Sequence, residues 1–256
     1  MLLAIDVGNT NTKFALLDGG EIIHRWRLST DDKRTADEYA VWLAQLMQLE
    51  GVDRGQVTAA IISTVVPPTL FDLRRLCTKY YGIEPMVIGA PGVDPGIRLA
   101  VDNPTAVGAD RVVTSSAAHH LHGGDVVVVG FGTATTFNVV IDGAYVGGSI
   151  APGINLAAEA LYMAAAQLPR IAIEPPPGDR ALAQGTVPSM QSGVFFGYVG
   201  LVEGLVRRIT SEMQRPARVI GTGGLAGLFS RHTDAIEIVD HDLMTRGLAL
   251  IHARNA

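Results

Sequence analysis

One cysteine, Cys77, is present among 256 residues. It has no partner for an internal disulfide and no second thiolate for a metal, which fits a reducing compartment. Long apolar runs are also missing: the stretches near Val126 and Ile150 are too short and too broken by glycine to span a bilayer. The opening residues, Met1-Leu2-Leu3-Ala4-Ile5-Asp6, have neither the basic start nor the cleavage site of an export signal. There is no basic run, and the formal charge is −5, which argues against a nucleic-acid partner. The Walker A lysine motif is absent, as is the third glycine of the dinucleotide fingerprint. These absences leave a cytoplasmic globular protein without membrane or nucleic-acid partners. Its 48% hydrophobic content is enough for one large or two small cores.

The N-terminus reads as strand, turn, strand. Leu2 to Asp6 is apolar, Gly8-Asn9-Thr10-Asn11 breaks it, and Thr12 to Leu17 resumes. Asp18-Gly19-Gly20 turns the chain into a third strand, Glu21 to Leu28. Ala40, Leu43, Leu46 and Met47 share one helical face, with Thr35 or Asp37 as the cap. Val57 to Ile62 is a short buried strand, and Pro67-Pro68 opens the next helix. Residues 89–98 form a loop, and a helix is expected from about Thr105 to His120. His119, His120 and His122 are read as a solvated helix end, because adjacent histidines do not share a helical face. The second half opens on Val126-Val127-Val128-Val129, a fully buried strand pattern. Helices follow over 157–166 and from Met190 to Met213, the latter carrying Gly193, Gly197, Gly200 and Gly204. That glycine spacing predicts close packing on another helix, across a dimer interface. Alternating strands and helices predict an α/β fold.

The two halves resemble each other. With Ala4 to Thr12 laid over Val128 to Thr136, Gly8 falls on Gly132 and Thr12 on Thr136. Asp18-Gly19 then falls on Asp142-Gly143 without a gap. Each half therefore begins with a buried strand, a Gly turn rich in hydroxyl and amide groups, and a second strand. Backbone N–H groups in such turns can hold phosphoryl oxygens, and Asp6 can orient a magnesium ion or its waters. A third turn, Gly221-Thr222-Gly223-Gly224, follows a strand and precedes a helix.

These three turns, in this order, resemble the phosphate-1, phosphate-2 and adenosine motifs of the actin-like kinase superfamily. The closer similarity is to the type III pantothenate kinases, over nearly the whole chain. Its carriers are Asp6-Val7-Gly8-Asn9-Thr10-Asn11-Thr12-Lys13, Asn103-Pro104 and Gly108-Ala109-Asp110-Arg111. Further along come Phe131-Gly132-Thr133-Ala134-Thr135-Thr136, Gly147-Gly148, Ala151-Pro152-Gly153, and Thr186 before Met190-Gln191-Ser192-Gly193. The resemblance implies two ribonuclease H-like domains, about 1–118 and 119–256, related by duplication with a cleft between them. It implies an ATP- and Mg²⁺-dependent kinase acting on pantothenate in coenzyme A synthesis. It places Asp6 to Lys13 and Thr133 on ATP, with Asp6 reaching Mg²⁺ through water. It puts Gly108, Ala109, Asp110 and Arg111 on pantothenate, with Asp110 accepting the proton of the substrate hydroxyl. Thr186 would reach the substrate from the neighbouring subunit of a homodimer, and Val101, Ile154 and Asn155 would shape the pocket.

The sequence departs from the family pattern at two acids. The family has an aspartate before Phe-Gly-Thr that ligates a monovalent cation, K⁺ or NH₄⁺; here the residue is Gly130. The aspartate usual after Thr-Thr-Phe is Asn138. Without the acid, three outcomes stand: a kinase needing no monovalent cation, a slow kinase, or a binding or regulatory protein on the kinase fold. A kinase for another small hydroxy acid or amide also remains open.

Overall fold

The computed structural model describes residues 1–165 and 167–256. Its elements, in chain order, begin with strands β1 (Leu2–Val7), β2 (Asn11–Asp18) and β3 (Glu21–Ser29), then helix α1 (Ala36–Leu49). Next come β4 (Ala59–Thr64), α2 (Leu70–Leu76), β5 (Met86–Val87), β6 (Arg98–Leu99) and α3 (Ala109–His122). The second half holds β7 (Val126–Phe131), β8 (Ala134–Ile141), β9 (Ala144–Pro152), α4 (Ile154–Ala164) and α5 (Thr186–Met213). It closes with β10 (Arg218–Gly223), α6 (Ala226–Phe229), β11 (Ile238–Val239) and α7 (Leu243–Asn255). The helix expected over 157–166 is α4, which ends at Ala164; residue 166 lies outside the described residues. The helix expected from Thr105 starts later, at Ala109, because Asn103-Pro104 sets a separate 3₁₀ turn over Pro104–Ala106.

The chain divides into two compact units, residues 1–121 with 242–256, and residues 122–241. In the first, the strand order is β3-β2-β1-β4-β5, antiparallel across β3-β2-β1 and parallel across β1-β4-β5. α1 starts where a capping box permits: Thr35 Oγ1 accepts from the Glu38 N–H, and the Glu38 carboxylate accepts from the Thr35 N–H. Its buried face, Tyr39, Leu43 and Met47, packs with Leu3, Ile5 and Phe14 of the sheet. On the opposite sheet face, Val113 of α3 and Leu248 and Ile251 of α7 pack with Ala4, Ala15 and Ile61.

That last contact departs from the expected division at 118/119. α7 belongs with the first unit, because Leu248 and Ile251 are 1% and 0% exposed against its sheet. Burying each of these side chains stabilises the unit by roughly 1.5–3 kcal/mol. An ion pair adds to the docking, with Arg25 of β3 donating to both carboxylate oxygens of Asp242, at 3.1 and 2.7 Å.

The second unit repeats the order, with β11-β10-β7-β8-β9 mirroring β5-β4-β1-β2-β3. All four valines of β7 from Val126 to Val129 are fully buried. Above them α5 contributes Phe195 and Tyr198, which pack on Phe229 with ring centroids 5.1 and 4.7 Å apart. Ile154, expected to shape a substrate pocket, is instead 1% exposed in this core.

The duplication holds, but its second strands are one residue out of step with the sequence alignment. In the first unit Val7 pairs with Thr12 and four residues, Gly8 to Asn11, make the turn. In the second, Phe131 pairs with Thr135 and only Gly132 to Ala134 intervene. Thr12 therefore corresponds to Thr135, not Thr136, and both are 0% exposed. The next turns follow suit: Gly19-Gly20 matches Asp142-Gly143, all four residues at positive φ.

Candidate active site

β1 carries Asp6 to the edge of the first turn, opposite Lys13 on β2. Lys13 Nζ lies 3.9 Å from Asp6 Oδ2, with the lysine 56% exposed and the aspartate side chain 17%. Burial pushes the Asp6 carboxyl up to about 6; Lys13 pulls the other way, and the charge of Asp110 raises it further. Two carboxylates thus feel each other within the first unit.

The turn itself is braced from within. The Gly8 N–H donates to the Asn11 carbonyl at 3.0 Å. The Thr30 hydroxyl donates to the Gly8 carbonyl at 2.6 Å and lies 3.1 Å from the Thr12 hydroxyl. Asn9 and Thr10 are left exposed at the tip, while Val7 and Thr12 are buried. Val7 and Thr12 therefore serve the turn through backbone and packing. Thr30 was not legible in the sequence, since a threonine ending an alternating strand carries no distinguishing signal.

Asp110 stands in the first turn of α3. Its carboxylate accepts from its own N–H and from that of Arg111, which also donates to the Gly108 carbonyl at 3.0 Å. These bonds and the Arg111 charge lower its pKa, but burial is the larger influence and the net direction is upward. Gly108 makes this pose possible. A Cβ there would lie 2.7 Å from Asp110 Oδ1 and 3.6 Å from Val65 Cγ1. Val65 is in turn tied to β1, its N–H donating to the Val7 carbonyl at 3.0 Å. Ala109 and Arg111 flank the acid, and Val101 lies half-buried in the loop before it.

Ser63 is a further residue that the sequence did not single out. It sits on β4 in register with Asp6, fully buried, its hydroxyl without a hydrogen-bond partner. A serine following Ala59-Ala60-Ile61-Ile62 in a buried strand was the available signal.

The second unit holds the other expected residues. Thr133 is exposed at the tip of the β7–β8 turn, and its carbonyl accepts from the Gly153 N–H at 3.2 Å. Gly130 lies on β7 opposite Thr136. Thr186 is the first residue of α5 and lines a groove of ≈ 640 Å³ with Leu161, Met190, Gly193, Gly197 and Tyr198. Among the described residues, no neighbouring side chain or segment comes within 4 Å of a Cβ built at Gly193, Gly197, Gly200 or Gly204.

Among the described residues no cluster of three or more His, Cys, Asp or Glu could hold a metal by itself. His120 Nδ1 lies 2.9 Å from the Ser116 carbonyl, and His122 Nε2 lies 3.0 Å from Asp240 Oδ2. No helix among the described residues is long and apolar enough to cross a membrane.

The family model described as type III pantothenate kinase matches residues 2–208. A type III pantothenate kinase of Rhodospirillum rubrum is 55% identical over 256 residues, covering 100% of this chain and 99% of the relative. One from Rhizorhabdus wittichii is 56% identical over 255 residues, covering 99% and 98%. Among solved structures, a Baf-family protein from Campylobacter jejuni superposes with a TM-score of 0.59 at 18% identity, covering 99% of this chain and 98% of that one. A Porphyromonas gingivalis protein assigned as an N-acetylglucosamine kinase gives 0.53 at 12% identity, covering 100% and 99%. The structural likenesses establish the duplicated actin-like fold; the sequence likeness, sustained from end to end, establishes more. This chain belongs to the type III pantothenate kinase family.

Proposed function

We propose that this protein transfers the γ-phosphoryl group of ATP to the hydroxyl of pantothenate, giving 4′-phosphopantothenate and ADP, the first step of coenzyme A biosynthesis. The observation that carries the reading is the pair of acids, Asp6 and Asp110, held in one unit by a strand end and a helix start. Both are raised by burial, and Asp6 is raised further by Asp110. A buried carboxylate with a raised pKa is suited to take a proton, and two of them together favour a bound cation.

Asp110 accepts the hydroxyl proton as that oxygen bonds to the γ-phosphorus and the bridging oxygen leaves with ADP. Arg111, beside it, offers a fork of donors to an anionic group of the substrate. Gly8 to Asn11 present the turn backbone to the phosphates, and Lys13 adds an exposed positive charge. Thr133 adds a nucleotide contact. The hard oxygen of Asp6 fits Mg²⁺ through water, and the ion when bound supplies charge neutralisation at the phosphates.

A homodimer through α4 and α5 completes the proposal, with Thr186 reaching the partner's substrate. The glycine face of α5 is open, and Leu156, Met163 and Leu182 are 53%, 72% and 87% exposed nearby in the chain. Apolar surface of this kind on one side of a unit favours association. Light scattering that returned a monomer would remove Thr186 from the site.

The direct test is formation of 4′-phosphopantothenate from ATP and pantothenate with Mg²⁺. Product dependent on both substrates supports the reading. A folded protein that binds either substrate yet yields no product would favour a binding role instead.

A further inference from the structure

The family resemblance requires a monovalent cation at residue 130, and the residues there do not fit one. Gly130 supplies no side-chain ligand. The space where a side chain would begin is taken by Thr136: a Cβ built at position 130 would lie 2.7 Å from Thr136 Oγ1. Behind that hydroxyl stands Asn138, 1% exposed, whose Nδ2 donates to Thr136 Oγ1 at 3.2 Å. On its other side the Tyr145 hydroxyl, also buried, donates to Asn138 Oδ1 at 3.5 Å. The donor set is thus neutral, and an amide N–H is aimed at the hydroxyl oxygen whose lone pairs a K⁺ ion would need. Hard cations take oxygen ligands, preferably anionic, and are repelled by an N–H directed at the same site.

The hydrogen bonds also do structural work. Thr136 and Asn138 lie on one strand, β8, just behind the turn that carries Thr133, and Tyr145 on β9 carries the chain of bonds across to the neighbouring strand. Buried polar networks of this kind hold a single geometry when their members are satisfied.

We infer that the Thr136–Asn138–Tyr145 network stands in place of the monovalent cation, and that turnover is indifferent to K⁺ and NH₄⁺. This rests on the kinase reading above, but its binding arm does not. The experiment compares initial rates in K⁺, NH₄⁺, Na⁺ and tetramethylammonium at constant ionic strength, alongside a thallium(I) NMR titration of the full chain. Rates within about twofold of one another and no saturable thallium shift are expected. A saturable stimulation by K⁺ or NH₄⁺, or a saturable thallium shift, would overturn the inference. Should no product form in any salt, the kinase reading falls and the thallium titration alone decides the cation site. In Asn138→Asp the amide donor is lost to a carboxylate, which a cation can then bridge. That variant is expected to lose on the order of tenfold in rate in Na⁺ and to regain it with K⁺ or NH₄⁺. Equal rates in all salts for that variant would show that the amide is not what replaces the ion.

Discussion

The two hairpins share a strand order and a turn-bracing threonine, yet one is charged and the other neutral. In the first, Asp6 faces Lys13 and feels Asp110; at the matching strand position of the second, Gly130 faces Thr136, whose hydroxyl accepts from the Asn138 amide. The first turn is also one residue longer, exposing Asn9 and Thr10 at its tip. Duplication supplied the same scaffold twice, and the acids that suit cation and proton chemistry stand on one copy. The difference shows that the sheet needs the small buried threonine at each hairpin, while the acid is dispensable to the fold.

Asp110→Asn strikes hardest at this asymmetry, and should lower turnover by on the order of 10²–10⁴ with pantothenate binding largely kept. Unchanged turnover would take the proton-accepting role away from the first unit.

Asp6 offers a second test, through pH. Its folded pKa is raised to about 6 from 3.8, so the protonated form is favoured by folding. That stabilisation is complete below pH 4 and is lost as pH rises through 6, a change of about 3 kcal/mol before solvent relaxation. Denaturant unfolding between pH 4 and 7 should show the loss in the wild type and a flatter profile in Asp6→Asn. A second hairpin without an acid has no counterpart to this slope. Identical slopes in the two proteins would mean that Asp6 is better solvated than its position behind the turn implies. If Asp6 must be ionised to serve Mg²⁺, kcat/KM for ATP falls below pH 6 in the same window.

The smallest expected effect is at Gly108. Gly108→Ala brings a methyl group to 2.7 Å from Asp110 Oδ1, where the side chain and not the backbone must yield. Turnover should fall about tenfold, with KM for ATP nearly unchanged and the acidic limb of the pH profile displaced. A pure loss of stability with normal kinetics would show that the carboxylate is not held by that gap.

Local patterns in the sequence made the fold legible wherever a few neighbouring residues decide the outcome. The apolar alternation of β1 and β2, the Thr35 cap and the four valines of β7 each state their own geometry. The one-residue slip between hairpins was hidden because Thr135 and Thr136 are identical neighbours, and either can be laid over Thr12. Nor does an amphipathic helix name its partner: the pattern of α7 tells which face is buried, not on which sheet. The nearness of Asp6 to Asp110 came only from family resemblance, since nothing periodic links a strand end to a distant helix start. Thr30 was invisible and Ser63 only faintly marked for a different reason, because their roles depend on register across strands.

The return of α7 to the first unit bears on the order of assembly. As the chain emerges from the ribosome, the second unit's residues are all available before the first unit's last helix is made. The sheet that carries Asp6, and against which Val113 of the Asp110 helix packs, must wait with Ala4, Ala15 and Ile61 partly uncovered until Leu248 and Ile251 arrive. Maturation of the acid-bearing unit is therefore timed by α7, and losing that helix would undo the setting of acids encoded far upstream of it.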